Sequence, residues 1–211
     1  MKKAKLVLVL LLVVSAMFFT SCTDININIG ESKSASSDNY TSGNFTYQAK
    51  DVDKINIDWA VGNVNVKSSD SGELSVSEDK DDLTNSEKLH WYIEDKTLKI
   101  EFSESRFNFK HIFKSNKNLT VEVPSNADIE ISTGVANINI DKVTMENVKI
   151  ETGTGNTTLG LDKSKGAKLK FSTGLGKLIA DEYTKSGDYY TFGGGSCNIE
   201  VSSGIGNLEI N

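Results

Sequence analysis

A ten-residue pattern that returns five times restricts this fold more than any other feature. It reads Ile131-Ser-Thr-Gly-Val-Ala-Asn-Ile-Asn-Ile140, then Ile150-Glu-Thr-Gly-Thr-Gly-Asn-Thr-Thr-Leu159. It returns as Phe171-Ser-Thr-Gly-Leu-Gly-Lys-Leu-Ile-Ala180 and closes the chain as Val201-Ser-Ser-Gly-Ile-Gly-Asn-Leu-Glu-Ile210. An earlier copy is Ile57-Asp-Trp-Ala-Val-Gly-Asn-Val-Asn-Val66. The copies start 74, 19, 21 and 30 residues apart, with no gap inside the motif.

Apolar and polar residues alternate on both sides of the motif's centre, and period two marks strands with one buried face. The small residues at the centre, as in Gly174-Leu175-Gly176, mark a tight corner where glycine lets backbones approach. The apolar residue between them is expected to point inward and plug that corner. A strand–corner–strand unit of this length cannot bury its face alone. Stacked units, about 4.8 Å apart, form a continuous core. The expected fold is therefore all-β: a right-handed parallel β-solenoid with an antiparallel hairpin insertion near Glu94-Asp-Lys-Thr97. An antiparallel β-sandwich is the alternative, because periodicity does not separate parallel coils from hairpins.

One column of the motif is Asn63, Asn137, Asn156, Lys177 and Asn207. In register these amides would form a ladder along the stack; equally, Asn favours turns. Thr154 and Thr157 replace apolar residues in the third copy, so that unit should pack less well. Further strands are expected over Leu74–Val76, Trp91–Ile93, Leu98–Phe102 and Leu119–Val123, the last ended by Pro124.

The first residues carry an address. Lys2, Lys3 and Lys5 precede an uncharged run, Leu6 to Ser21, too short for a spanning helix and typical of a secretory signal. Phe19-Thr-Ser-Cys22 resembles a bacterial lipobox, with Cys22 as the lipidated residue. Residues 1–21 are expected to be the signal peptide and 22–43 a polar, flexible tether carrying the lipid. Residues 44–211 are expected to form the repeat domain. Export would remove three lysines and no acid, moving the formal charge from −6 to −9. That surface disfavours nucleic acid as a partner. With Cys22 lipidated, Cys197 has no intrachain partner, and a small buried core residue is its expected role.

Asn118-Leu-Thr-Val-Glu-Val-Pro124, followed by the coils from Ile129 onward and preceded by Ile55 to Val66, resembles a bacterial β-strand-repeat family. Its members are called putative adhesins of unknown function. The resemblance covers about residues 44–211. It implies a β-solenoid fold and an envelope location, and it brings no catalytic residues.

The sequence offers little chemistry. The outward position after the first strand is Asp58, Ser132, Glu151, Ser172 and Ser202, which gives no acid/base pair in adjacent copies. His90 and His111 are not spaced as metal ligands and are expected at the surface or in a cap. No enzyme activity, metal or cofactor is expected. Two segments are candidate binding sites. One places Arg106, Phe107, Phe109 and Lys110 together, suited to an anionic envelope polymer or a membrane surface, or to capping the stack. The other holds Tyr183, Tyr189, Tyr190 and Phe192, suited to stacking on sugar or protein, or to covering the flank of the core. The functional expectation is a lipid-anchored envelope module facing outside the cytoplasm, at the cell surface or in the periplasm. It would act without catalysis, either binding or adhering to an envelope protein or glycan or serving as a structural module. A regulatory partner in envelope-stress signalling is the alternative, and a polysaccharide-active enzyme a distant one.

Overall fold

The alternation does produce strands, and the copies of the motif do lie side by side. The computed structural model describes residues 40–69, 72–103, 116–124, 127–162 and 164–211, all within one unit, Ser37–Asn211. The strands are β1 (Thr41–Ser42), β2 (Phe45–Gln48), β3 (Lys54–Val61), β4 (Val64–Ser69), β5 (Glu73–Glu78) and β6 (His90–Glu94). They continue as β7 (Thr97–Glu101), β8 (Leu119–Pro124), β9 (Asp128–Val135), β10 (Ile138–Val143), β11 (Asn147–Thr154) and β12 (Thr157–Leu161). The last are β13 (Ala167–Leu175), β14 (Leu178–Ala180), β15 (Thr184–Ser186), β16 (Tyr189–Phe192), β17 (Cys197–Ile205) and β18 (Leu208–Ile210). A 3-10 turn at Ala49–Asp51 is the one helical element among the described residues. The chain is all-β.

Two mixed sheets result. One has the order β1-β6-β7-β3-β9-β11-β17-β13-β16-β15, the other β14-β18-β12-β10-β4-β8-β5-β2. All pairs between repeat strands are parallel and in motif register: Ile57 lies beside Ile131, Ile131 beside Ile150, Ile150 beside Val201, and Val201 beside Phe171. The second strands repeat this, with Val64, Ile138, Thr157, Leu208 and Leu178 in one row. Antiparallel pairs occur toward the two ends of the stack. The expected hairpin is β6–β7, turning through Asp95 (φ 48°) and Lys96 (φ 60°), the two positive φ values of a type I′ turn. Thr41 and Ser42, expected within the tether, pair with β6 as an edge strand.

Chain order and stacking order differ in one place. The fifth copy, β17–β18, lies between the third (β11–β12) and the fourth (β13–β14). An additional unit precedes the first copy, because β7 runs parallel to β3 and β8 parallel to β4.

The corners correct the expectation. Val135, Leu175 and Ile205 do not plug them: they are 51%, 66% and 52% exposed. The reason is steric. A Cβ on Gly155 would lie 1.8 Å from the carbonyl oxygen of Ala136 in the neighbouring repeat, and one on Gly206 would lie 1.8 Å from that of Gly155. Neighbouring backbone fills the inside of the corner, so the apolar side chain turns outward. Buried residues from both sheets form one core, running from Val52 and Leu74 at one end to Leu169 and Phe192 at the other. Thr157 sits in that core with its hydroxyl unpartnered, a local defect in the third copy.

Candidate functional site

The asparagine column does form a ladder, through backbone as well as side chains. Asn63, Asn156, Asn207 and Lys177 each donate their backbone N–H to the side-chain oxygen of the preceding rung, namely Asn118, Asn137, Asn156 and Asn207, over 2.9–3.1 Å. Asn137 donates its side-chain amide to Asn63 at 3.3 Å. Asn118 is the rung that the motif alignment omits. The signal for it is present, since Asn118-Leu-Thr-Val121 has the pattern of Asn63-Val-Asn-Val66. Beside this ladder, Asn139, Thr158 and Glu209 project from β10, β12 and β18. With Asn137, Asn156 and Asn207 they line a shallow, open depression of about 380 Å³ that Ile179 borders. Amide, hydroxyl and carboxylate groups thus recur at the strand spacing of about 4.8 Å, suited to hydrogen-bonding an extended polar ligand.

On the opposite sheet the outward row is Asp58, Ser132, Glu151, Ser202 and Ser172, as the motif alignment gives it. Asp58 and Glu151 are two strands apart, about 10 Å, and Glu151 is held by Lys149 at 2.9 Å. Glu130 lies between Lys54 (2.7 Å) and Lys149 (3.1 Å). Burial works to raise its pKa, but hydrogen bonds and charge from the two lysines outweigh it and hold the carboxyl below its ordinary range. Glu130 and Glu151 are thus neutralised by lysines in a charge ladder rather than converged on a reacting bond.

The structure brings the aromatic candidates together. β15 and β16 form a hairpin on the edge of β13, where Tyr190 pairs with Leu169 and Phe192 with Ala167 on the core side. Phe192 is buried and Tyr190 half-buried, so both cover the end of the core. Tyr183 packs edge-on to Tyr190, with ring centroids 5.3 Å apart, and remains 46% exposed. Tyr189 faces outward beside Lys170 and is 41% exposed. Lys168 stands 4.3 Å over the ring of Tyr189, and Lys185 4.8 Å over that of Tyr190. The hydrogen bond to Tyr190 raises the pKa of Lys185. The hairpin thus serves both roles: two rings close the core while two others face solvent among lysines.

The remaining candidates separate. Cys22, Arg106, Phe107, Phe109 and Lys110 lie outside the described residues, as does His111. Arg106 to His111 belong to the connection between β7 and β8, where the other units have a two-residue corner. His90 is not at the surface but buried, its ring 4.4 Å from that of Tyr40. Cys197 is buried, and burial pushes its thiol up to about 11. Among the described residues no three His, Cys, Asp or Glu side chains converge to hold a metal, and no helix is long and apolar enough to cross a membrane.

A buried ion pair carries no sequence signal. Lys117 Nζ lies 2.5 Å from Glu78, with both side chains almost wholly buried. It donates to the Glu87 carbonyl at 2.6 Å and lies 4.6 Å from the Phe102 ring centre. Glu78 in turn accepts the backbone N–H of Leu89. Desolvation lowers the pKa of Lys117, against the pull of Glu78. The pair ties the end of β5 and the β5–β6 loop to the residues before β8, beside Trp59, whose indole N–H donates to the Lys117 carbonyl at 3.0 Å.

Comparison with solved structures gives a similar fold in a "putative cell adhesion protein" from Clostridium sporogenes. Its TM-score is 0.51 at 17% identity, over 81% of this chain and 98% of that one. A "putative adhesin" from Parabacteroides merdae matches at a TM-score of 0.32 and 15% identity, over 82% of each chain. One from Bacteroides fragilis matches at 0.24 and 13%, over 83% of this chain and 98% of that one. Comparison with curated proteins finds no match. The profile of the N-terminal domain of toast_rack, DUF2154, matches residues 31–179, most of the chain. The protein belongs to the toast_rack (DUF2154) family.

Proposed function

We propose that this chain is an envelope lipoprotein, anchored through Cys22 and facing outside the cytoplasm, that works as a non-catalytic adhesion-type binding module. The repeats then form a parallel β-solenoid, right-handed as parallel crossovers overwhelmingly are, in which the last coil is inserted out of chain order. The observation that carries the reading is the hairpin and the turn that leads into it: Tyr189 on β16 and Tyr183 just before β15 stand exposed beside Lys168 and Lys185. Aromatic faces with adjacent cations suit sugar rings carrying anionic groups, or an acidic protein surface. The name of the similar Clostridium sporogenes structure supports a binding role, and the lysine-neutralised acids of the outer face support a non-catalytic one. The test is binding of the purified chain to whole cells and to isolated envelope polymers. Tyr183→Ala with Tyr189→Ala should weaken binding about tenfold or more while leaving thermal unfolding nearly unchanged. Binding no stronger than that of an unrelated acidic β-protein overturns the reading.

A further inference from the structure

The two ends of the stack are finished differently. At one end β1, β2, β5 and β6 cover the first units, sealed by the Phe45–Trp91 stack and the Lys117–Glu78 pair. At the other end β16 pairs only with Ala167–Lys170 of β13. Among the described residues nothing pairs beyond Phe171–Leu175 or beyond β14. The apolar positions there are correspondingly open. Phe171, Leu178 and Ala180 are only partly buried, whereas their counterparts Val201, Leu208 and Ile210 in the adjacent repeat are buried. Leu175 and Ile179 are 66% and 41% exposed.

We propose that this edge is a self-association surface, where two copies of the chain pair antiparallel through β14 about a two-fold axis at Ile179. Three observations select a second copy in this orientation. The edge is self-complementary: the axis sets Lys177 opposite the partner's Asp181, Leu178 opposite the partner's Ala180, and Ile179 opposite itself. Charge is thereby matched with charge and a large side chain with a small one. The backbone agrees. Leu208 donates to the Lys177 carbonyl at 3.0 Å, so Lys177 and Ile179 turn their peptide groups toward β18. Leu178 and Ala180 then turn theirs outward, the alternation that a hydrogen-bonded antiparallel pair requires. Thirdly, a further parallel coil is disfavoured because the asparagine ladder ends at Lys177, whose side chain offers no acceptor to a next rung. An antiparallel partner needs no rung. Two-fold pairing also closes on itself, so it gives dimers and not fibres. Three paired residues a side make a weak contact, suited to copies concentrated on a surface.

The test is disulfide trapping of the full chain in the membranes of the cells that express it. Ile179→Cys lies on the axis, in a non-hydrogen-bonded pair whose Cβ atoms come close enough for a disulfide. Mild oxidation should give a covalent dimer, absent from the parent chain and from a Ser132→Cys control on the outer face of the other sheet. Adding Lys177→Asp should lower the trapped fraction about tenfold, since two like-charge pairs then face each other. Adding Asp181→Lys to that variant should restore it by exchanging the two charges. Trapping no greater than in the Ser132→Cys control overturns the proposal, as does a Lys177→Asp loss that Asp181→Lys leaves unrepaired. Protease resistance of each variant in the same membranes shows that the chain is folded.

Discussion

At the scale of the residue, the motif divides its work among positions that look alike in sequence. Ile138 and Val135 are both β-branched and three residues apart, yet Ile138 is 1% exposed and Val135 51%. The difference is the crowded inside of the corner, where the next coil's carbonyl occupies the place a side chain would need. Ile138→Lys should therefore abolish cooperative thermal unfolding, because it sets an unpaired charge between Val64 and Thr157 at a cost of about 4 kcal/mol or more. The same substitution at Val135 should change the melting temperature little, and similar losses at both sites would show that the corner is packed from inside after all. Lys117 shows the opposite case, a charge tolerated at full burial because Glu78 and the Glu87 carbonyl meet it.

At the scale of the element, each strand inside a sheet is held by two neighbours, and outward ladders run across the repeats. The Lys54–Glu130–Lys149 cluster joins β3, β9 and β11. The folded-state pKa of Glu130 is below its ordinary value, so the cluster's contribution is present above about pH 4.5. It is lost as the pH falls through the folded value. In Glu130→Gln that part of the acid-side loss should disappear, while the neutral-pH stability drops by about 1 kcal/mol or less, because the three side chains are partly exposed. Urea unfolding of both forms between pH 3 and 7 measures it, and parallel pH curves would count against the ladder. The β15–β16 hairpin has two unlike faces, with Phe192 and Tyr190 inward and Tyr189 outward.

At the scale of the whole molecule, the out-of-order coil decides how the fold is completed. β17–β18 separates β11–β12 from β13–β14 in both sheets, so the fourth copy has no parallel neighbour until the end of the chain arrives. Ending the chain after Gly195 removes that coil and leaves Ile150 and Leu159 uncovered, along with Phe171 of the fourth copy. Hydrogen exchange should then show β13–β16 unprotected, with the units from β2 to β10 still protected. Protection of β13–β16 in the truncated chain would mean that the fourth coil docks directly on the third. Contacts between segments this distant in sequence also predict slow folding.

Strand periodicity and the turn at Asp95-Lys96 are local properties, and the sequence alone determined them, as it did the repeated motif that lets the five copies align. Alternation sets which face is buried, and a repeated motif pairs best with itself in register. Cys22 and the charge balance likewise belong to the chain as written. Tertiary structure alone decided what depends on neighbours distant along the chain. The direction in which Val135, Leu175 and Ile205 point follows from the adjacent coil's carbonyls. The place of the fifth copy follows from which edges remain open, and the pairing of Lys117 with Glu78 from a loop and a strand end that lie far apart in sequence. The aromatic candidates were legible as a cluster because they are close in sequence. Which rings close the core and which stay free depended on the edge of β13, where the hairpin lies.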